Sequence, residues 1–154
     1  MKRGVIAIVF FILGILATHF VPVQAEQRSA YSDAFFESVQ RVSFDEIKVY
    51  NDRVEINQPG IRYAKVTSNS MAPIITDKSV VFEKSPESPK DINIGDVISF
   101  YEPSVNGIVL HAVIGIGSID GQIYYTTKGL ANAEPDPWLV PFENVKGVMI
   151  GTFK

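Results

Sequence analysis

Gly107-Ile108-Val109-Leu110-His111-Ala112-Val113-Ile114-Gly115-Ile116 is the stretch whose reading decides the fold. Apolar residues occupy both alternating sets of positions, so a strand here is expected to be central and covered on both faces. A single polar side chain interrupts it. His111 shares its set with Val109 and Val113, and a lone histidine in such a strand is ordinarily a satisfied core residue.

Working outward, Asp120-Gly121 predicts a hairpin into a strand over Gln122 to Thr127. Residues 129–141 read as a loop with three prolines around Trp138, and Val145 to Phe153 reads as a further strand. Upstream, Ile94 to Phe100 reads as a turn and strand. Before it, Ser85-Pro86-Glu87-Ser88-Pro89-Lys90 is a loop in which two prolines are expected to forbid regular structure. Ser79 to Glu83 and Ile61 to Val66 read as strands, with a turn at Gln58-Pro59-Gly60. Ile47 and Val49, then Val54 and Ile56, flank Asn51-Asp52 as a tight hairpin. The pattern predicts one mostly-β domain, without repeats or a second domain.

Met1-Lys2-Arg3 precedes an uncharged run from Gly4 to Ala25. About 20 apolar residues can span a bilayer, and Lys2 and Arg3 would hold the N-terminus in the cytoplasm with the rest outside. The rival is a cleaved signal peptide, since Val23-Gln24-Ala25 resembles a small-residue cleavage site. Either way the body lies on the outer face of the cell membrane; a retained single-pass anchor is the favoured reading. His19 is expected to be an interfacial side chain. Phe35, Phe36, Val39 and Val42 fall at helical spacing, with Ser32 and Asp33 as possible N-caps, which predicts a short amphipathic helix. The expected divisions are thus 1–25 as anchor or signal peptide, 26–60 as juxtamembrane helix and hairpin without an assigned role, and 61–154 as the β domain.

Composition narrows the chemistry. The chain has 14 basic and 17 acidic residues; without Lys2 and Arg3 the balance is 12 to 17, or −5. A nucleic-acid surface would need a basic stripe, so nucleic acid is not an expected partner. There is no Cys, which excludes disulfides, thiolate metal sites and a cysteine nucleophile. With two histidines, His19 and His111, a histidine metal site is not expected, nor is any cofactor.

Two features shift the reading of His111 toward chemistry. Ser68-Asn69-Ser70-Met71-Ala72-Pro73 breaks two β-like segments with a pair of hydroxyls just before a proline. Glu134-Pro135-Asp136-Pro137 fixes an acid between prolines. Serine, histidine and acid are what acyl transfer needs: a base must take the serine proton, and the acid holds the imidazole tautomer. The plainer alternatives are a turn-stabilising hydroxyl at Ser70 and a turn-building carboxylate at Asp136. Asp96 reads as a turn former after Gly95, Lys128 as a structural strand end, and Met71 and Trp138 as packing residues.

These residues resemble type I signal peptidases. Ser68 to Pro73 is similar to the nucleophile box of that family, and Gly95-Asp96-Val97-Ile98 to its Gly-Asp box. Leu110-His111-Ala112-Val113-Ile114 is similar to the strand carrying the base, and Thr127-Lys128-Gly129 with Asn132 and Asp136 to the last box. Four ordered boxes over about Val66 to Gly151 make a specific signal. The base is lysine in the usual bacterial branch and histidine in the archaeal and endoplasmic-reticulum branch, so His111 resembles the latter.

The resemblance implies a signal-peptidase-like β domain with an N-terminal transmembrane helix, acting as a membrane-anchored serine endopeptidase. Its partners would be membrane lipid and signal-peptide-bearing preproteins, cut after small residues. Ser70 would be the nucleophile, His111 the general base, Asp136 the acid, and Ser68 an oxyanion donor beside the Ser70 N–H. Protonation of His111 would abolish its role as base, so activity should fall on the acid side. The chain departs from the family where Lys-Gly-Asp-Asn-Asn is replaced by Lys128-Gly129-Leu130-Ala131-Asn132, and where Ala112 replaces an Arg. Leu130 cannot orient an imidazole, which leaves Asp136. The alternative is a weak or inactive relative that binds export partners or peptides.

Overall fold

The computed structural model describes residues 41–153. The predicted membrane segment and the helix expected around Phe35 and Val39 lie outside the described residues. No helix among the described residues is long and apolar enough to cross a membrane.

The described residues hold nine strands: β1 (Ile47–Val49), β2 (Val54–Ile56), β3 (Ile61–Lys65), β4 (Val80–Lys84), β5 (Val97–Glu102), β6 (Gly107–Ile119), β7 (Gln122–Lys128), β8 (Leu139–Pro141) and β9 (Val145–Phe153). β1 and β2 form a separate two-stranded ribbon. The other seven form one antiparallel sheet in the order β3-β4-β9-β5-β6-β7-β8. β9 therefore lies between β4 and β5, joining the first hairpin of the sheet to the rest of it. The mostly-β expectation holds.

Side-chain alternation gives this sheet two covered faces. Val97, Ala112 and Met149 belong to one apolar cluster with Met71, Ile75 and Val81. Their neighbours Ile98, Val113 and Val148 belong to the other, with Phe100, Tyr125 and Val140. Fully burying one such side chain contributes about 1.5–3 kcal/mol. Burial of the Tyr125 phenol, and then the nearby Asp91 charge, raises its pKa above the usual value; its hydroxyl donates to the Pro89 carbonyl at 3.3 Å.

Three expectations are corrected. β6 is interior to the sheet, but only His111, Ala112 and Val113 are buried; Ile108, Ile116 and Ile119 are exposed where the strand outruns its cover. The proline-rich stretch after β4 does hold regular structure, a 3-10 turn over Pro89–Asp91. Proline is suited to the first turn of a helix, where its missing N–H has no partner to lose. Asp91 closes this turn by accepting the Ser88 and Glu87 amides, both at 2.8 Å. The loop expected over 129–141 ends in strand β8, paired with β7 through Tyr125 and Val140. Pro141 is tolerated there because β8 is an edge strand.

The turns follow their sequence signals. Asp120 and Gly121 both take positive φ, 51° and 80°, as a tight hairpin between β6 and β7 requires. Asn51-Asp52 lies in the β1–β2 connection, closed by the Tyr50 amide on the Arg53 carbonyl at 2.8 Å.

Candidate active site

Between β3 and β4 the chain makes the serine-bearing loop, and its shape comes from its own polar groups. The Ala72 amide donates to the Asn69 carbonyl and the Ile75 amide to the Met71 carbonyl, both at 3.0 Å. The Asn69 side chain then reaches across to accept the Asp77 amide at 3.1 Å. Met71 and Ile75, 1% and 0% exposed, pin the loop to the core. Met71 is thus a packing residue, as expected. Ser70 is held between these fastenings.

His111 stands on β6 opposite Ile98 of β5, in the short buried part of its strand. Its ring bridges two groups far away in sequence. Nε2 lies 3.0 Å from Ser70 Oγ and Nδ1 lies 2.7 Å from Asp136 Oδ2. An ionised carboxylate only accepts, so Nδ1 carries the proton and donates it to Asp136. Nε2 is then the acceptor, and Ser70 donates its hydroxyl hydrogen to it. Ser68 Oγ lies 3.3 Å from Ser70 Oγ. With the Ser70 hydrogen committed to His111, Ser68 is the donor of that pair. The three residues singled out as nucleophile, base and acid are brought together, with Ser68 beside them.

The 129–137 segment completes the arrangement. The Ala131 amide donates to the Ser70 carbonyl at 2.9 Å, and the Asp136 amide to the Thr127 carbonyl at 2.8 Å. Gly129 is where this segment passes closest to the pair. A Cβ there would sit 2.7 Å from the Ser70 carbonyl oxygen and 2.9 Å from His111 Nε2. Only glycine allows that approach. Leu130 packs against the cluster containing Met71 and Ala112. It acts as an apolar side chain, and of the two it is Asp136 that reaches the imidazole.

Sequence reasoning missed one member of the group. Thr127 is fully buried on β7, and its hydroxyl donates to Asp136 Oδ2 at 2.6 Å. The available signal was a hydroxyl at an inward position of a strand whose preceding inward residue is Tyr125. It also missed the partner of Asp96. That carboxylate accepts the Asn93 amide at 2.7 Å, as a turn former should, and is gripped by the Arg41 guanidinium through Nε and Nη2. Lys128 donates to the Ala133 carbonyl at 3.0 Å, a strand-end role. Trp138 packs on the second cluster.

A neutral imidazole with its proton fixed on Nδ1, and its free lone pair 3.0 Å from a serine hydroxyl, can act as a general base. The arrangement can therefore generate an alkoxide-like nucleophile for attack on an acyl carbon. No group of three or more His, Asp or Glu that could hold a metal is present among the described residues.

Over 92 residues the chain is 32% identical to Signal peptidase I W of Bacillus subtilis (strain 168). The chain is similar to a signal peptidase. The match takes in 60% of this chain and 48% of the relative, so the chain spans about half the length of the curated relative it matches. No family model matches it.

Proposed function

We propose that this protein is a membrane-anchored serine endopeptidase of the signal peptidase I type, with histidine as its base. The observation that carries this reading is the continuous Ser70–His111–Asp136 hydrogen-bonded series, 3.0 Å and 2.7 Å, in a chain similar to a signal peptidase. His111 takes the Ser70 proton as Oγ attacks the carbonyl that follows a small residue in a preprotein. Ser68 and the Ser70 N–H donate to the tetrahedral oxyanion, a class of interaction worth about 3–4 kcal/mol per donor. His111 then protonates the leaving amine, and water, deprotonated by the same imidazole, releases the acyl group.

Asp136 fills the acid role that Leu130 cannot. The histidine base is the reason for relating the chain to the archaeal and endoplasmic-reticulum branch. The run from Gly4 to Ala25 would hold the chain in the cell membrane by a single pass, with the N-terminus in the cytoplasm and the β domain outside. Preproteins and lipid are the proposed partners.

Detergent-solubilised protein, incubated with a preprotein bearing an Ala-x-Ala site, tests this. Wild type is expected to cut at that site, and neither Ser70→Ala nor His111→Ala should. Folded protein without cleavage would instead support a non-catalytic binding module. Cleavage surviving Ser70→Ala would overturn the assignment.

A further inference from the structure

Asp136 Oδ2 is the meeting point of two donors. His111 Nδ1–H reaches it at 2.7 Å and the Thr127 hydroxyl at 2.6 Å. All three side chains are shut away from solvent: Thr127 is fully buried, His111 is 8% exposed at its side chain and Asp136 5%. Thr127 and Asp136 are also joined through the main chain, since the Asp136 amide donates to the Thr127 carbonyl at 2.8 Å. The residue carrying the acid is thus bound twice to one residue of β7. That strand is in register with β6, with Thr127 opposite Val113, two residues beyond His111.

We infer that Thr127 is a positioning residue for the serine–histidine pair, acting through Asp136, a role that rests on the peptidase reading above. The hydroxyl fixes the rotation of the carboxylate so that Oδ2 faces Nδ1, which Pro135 and Pro137 cannot do because they constrain only the backbone. Thr127 thereby holds the ring with Nδ1 on the acid and Nε2 toward Ser70.

The charged groups around His111 leave this role to Thr127. Asp136 is the acid in contact with the ring. On β7, Lys128 is turned to the Ala133 carbonyl. In the acid loop Glu134 is exposed, and in the serine loop Asp77 and Lys78 are exposed. Asp96, just before β5, is engaged by Arg41.

The test compares Thr127→Val, which keeps the shape and removes the hydroxyl, with Thr127→Ser, which keeps the hydroxyl. Each is assayed for preprotein cleavage across pH, and the His111 Nδ1 proton resonance is read by NMR. Thr127→Val is expected to lower kcat about tenfold to a hundredfold, with KM nearly unchanged, because the reacting groups are misplaced while substrate contacts remain. Its Nδ1 proton resonance should shift or broaden. Thr127→Ser should restore both.

Wild-type cleavage rates and an unmoved Nδ1 resonance in Thr127→Val would overturn the inference. So would failure of Thr127→Ser to rescue. If Thr127→Val does not fold, Thr127→Ala takes its place; failure of both to fold, with Thr127→Ser intact, would assign the hydroxyl a purely structural role and overturn the proposal. Wild type that does not cleave, but whose Nδ1 resonance responds to Thr127→Val and recovers in Thr127→Ser, would refute the peptidase reading while leaving the positioning of the imidazole standing.

Discussion

Asp136 and Asp96 are both carboxylates withdrawn from water, with side chains 5% and 2% exposed, and their partners differ in kind. Asp96 faces a guanidinium, a permanent cation, and also accepts the Asn93 amide. Asp136 faces a neutral imidazole and a hydroxyl. The first charge is compensated at all times. The second is fully compensated only when His111 becomes an imidazolium, the state that taking the Ser70 proton would form in the proposed reaction. A buried acid with a fixed cation holds structure together, whereas one with a conditional cation favours a charge that appears during reaction.

The largest test of that contrast is Asp136→Asn. Cleavage is expected to fall by about 10³- to 10⁴-fold, because an amide can donate to Nδ1 and so select the wrong tautomer. The melting temperature should stay close to that of wild type. A variant cleaving within tenfold of wild type would break the comparison on its catalytic side.

Asp96→Ala should do the reverse. Losing the buried carboxylate leaves the partly exposed Arg41 and the Asn93 amide without their acceptor and costs about 1–3 kcal/mol, to be read from urea unfolding, while cleavage per folded molecule is retained. Stability equal to wild type would count against the structural role. Gly129→Ala should act only on the catalytic half. Its Cβ cannot coexist with the Ser70 carbonyl at 2.7 Å, and displacing the pair by an ångström is expected to cost about a hundredfold in kcat.

The smallest effect concerns an acid held chiefly by backbone amides, with the Arg41 charge a minor contribution. The Ser88 amide, and then the Glu87 amide, hold the Asp91 carboxyl below the usual carboxylate range. A depressed folded-state value means that its contribution is fully present above the ordinary Asp value of about 4 and is lost as pH falls further. Amide exchange at Glu87 and Ser88 should therefore show loss of protection, relative to the rest of the sheet, only on strong acidification. Uniform exchange across that range would remove Asp91 from the comparison.

Much of this was legible in the chain. Strands β5, β7 and β9 were marked by their patterning, β6 by apolar residues on both faces, and the hairpin at Asp120-Gly121 by residues that tolerate positive φ. Ser70, His111 and Asp136 stood out by type and by the four boxes. What escaped was whatever depends on partners distant in sequence. Nothing local to Asp96 points to Arg41, 55 positions away. Thr127 stood in the last box without a role, because threonine is common in strands and only register shows which hydroxyl meets a carboxylate. β8 was hidden by its prolines, and the extent of cover over β6 by the fact that burial depends on neighbouring elements.

The place of β9 in the sheet has a consequence for the birth of the molecule. Ser70 follows β3 and His111 lies on β6, yet β4 and β5 do not touch as neighbours; residues 145–153 stand between them. A ribosome that has released everything up to Asn144 has made every group of the candidate site, but not the strand that joins its two halves. A nascent chain at that point has no completed sheet to hold Ser70 and His111 together. Assembly of the candidate site becomes an all-at-once event, timed by the emergence of a single strand.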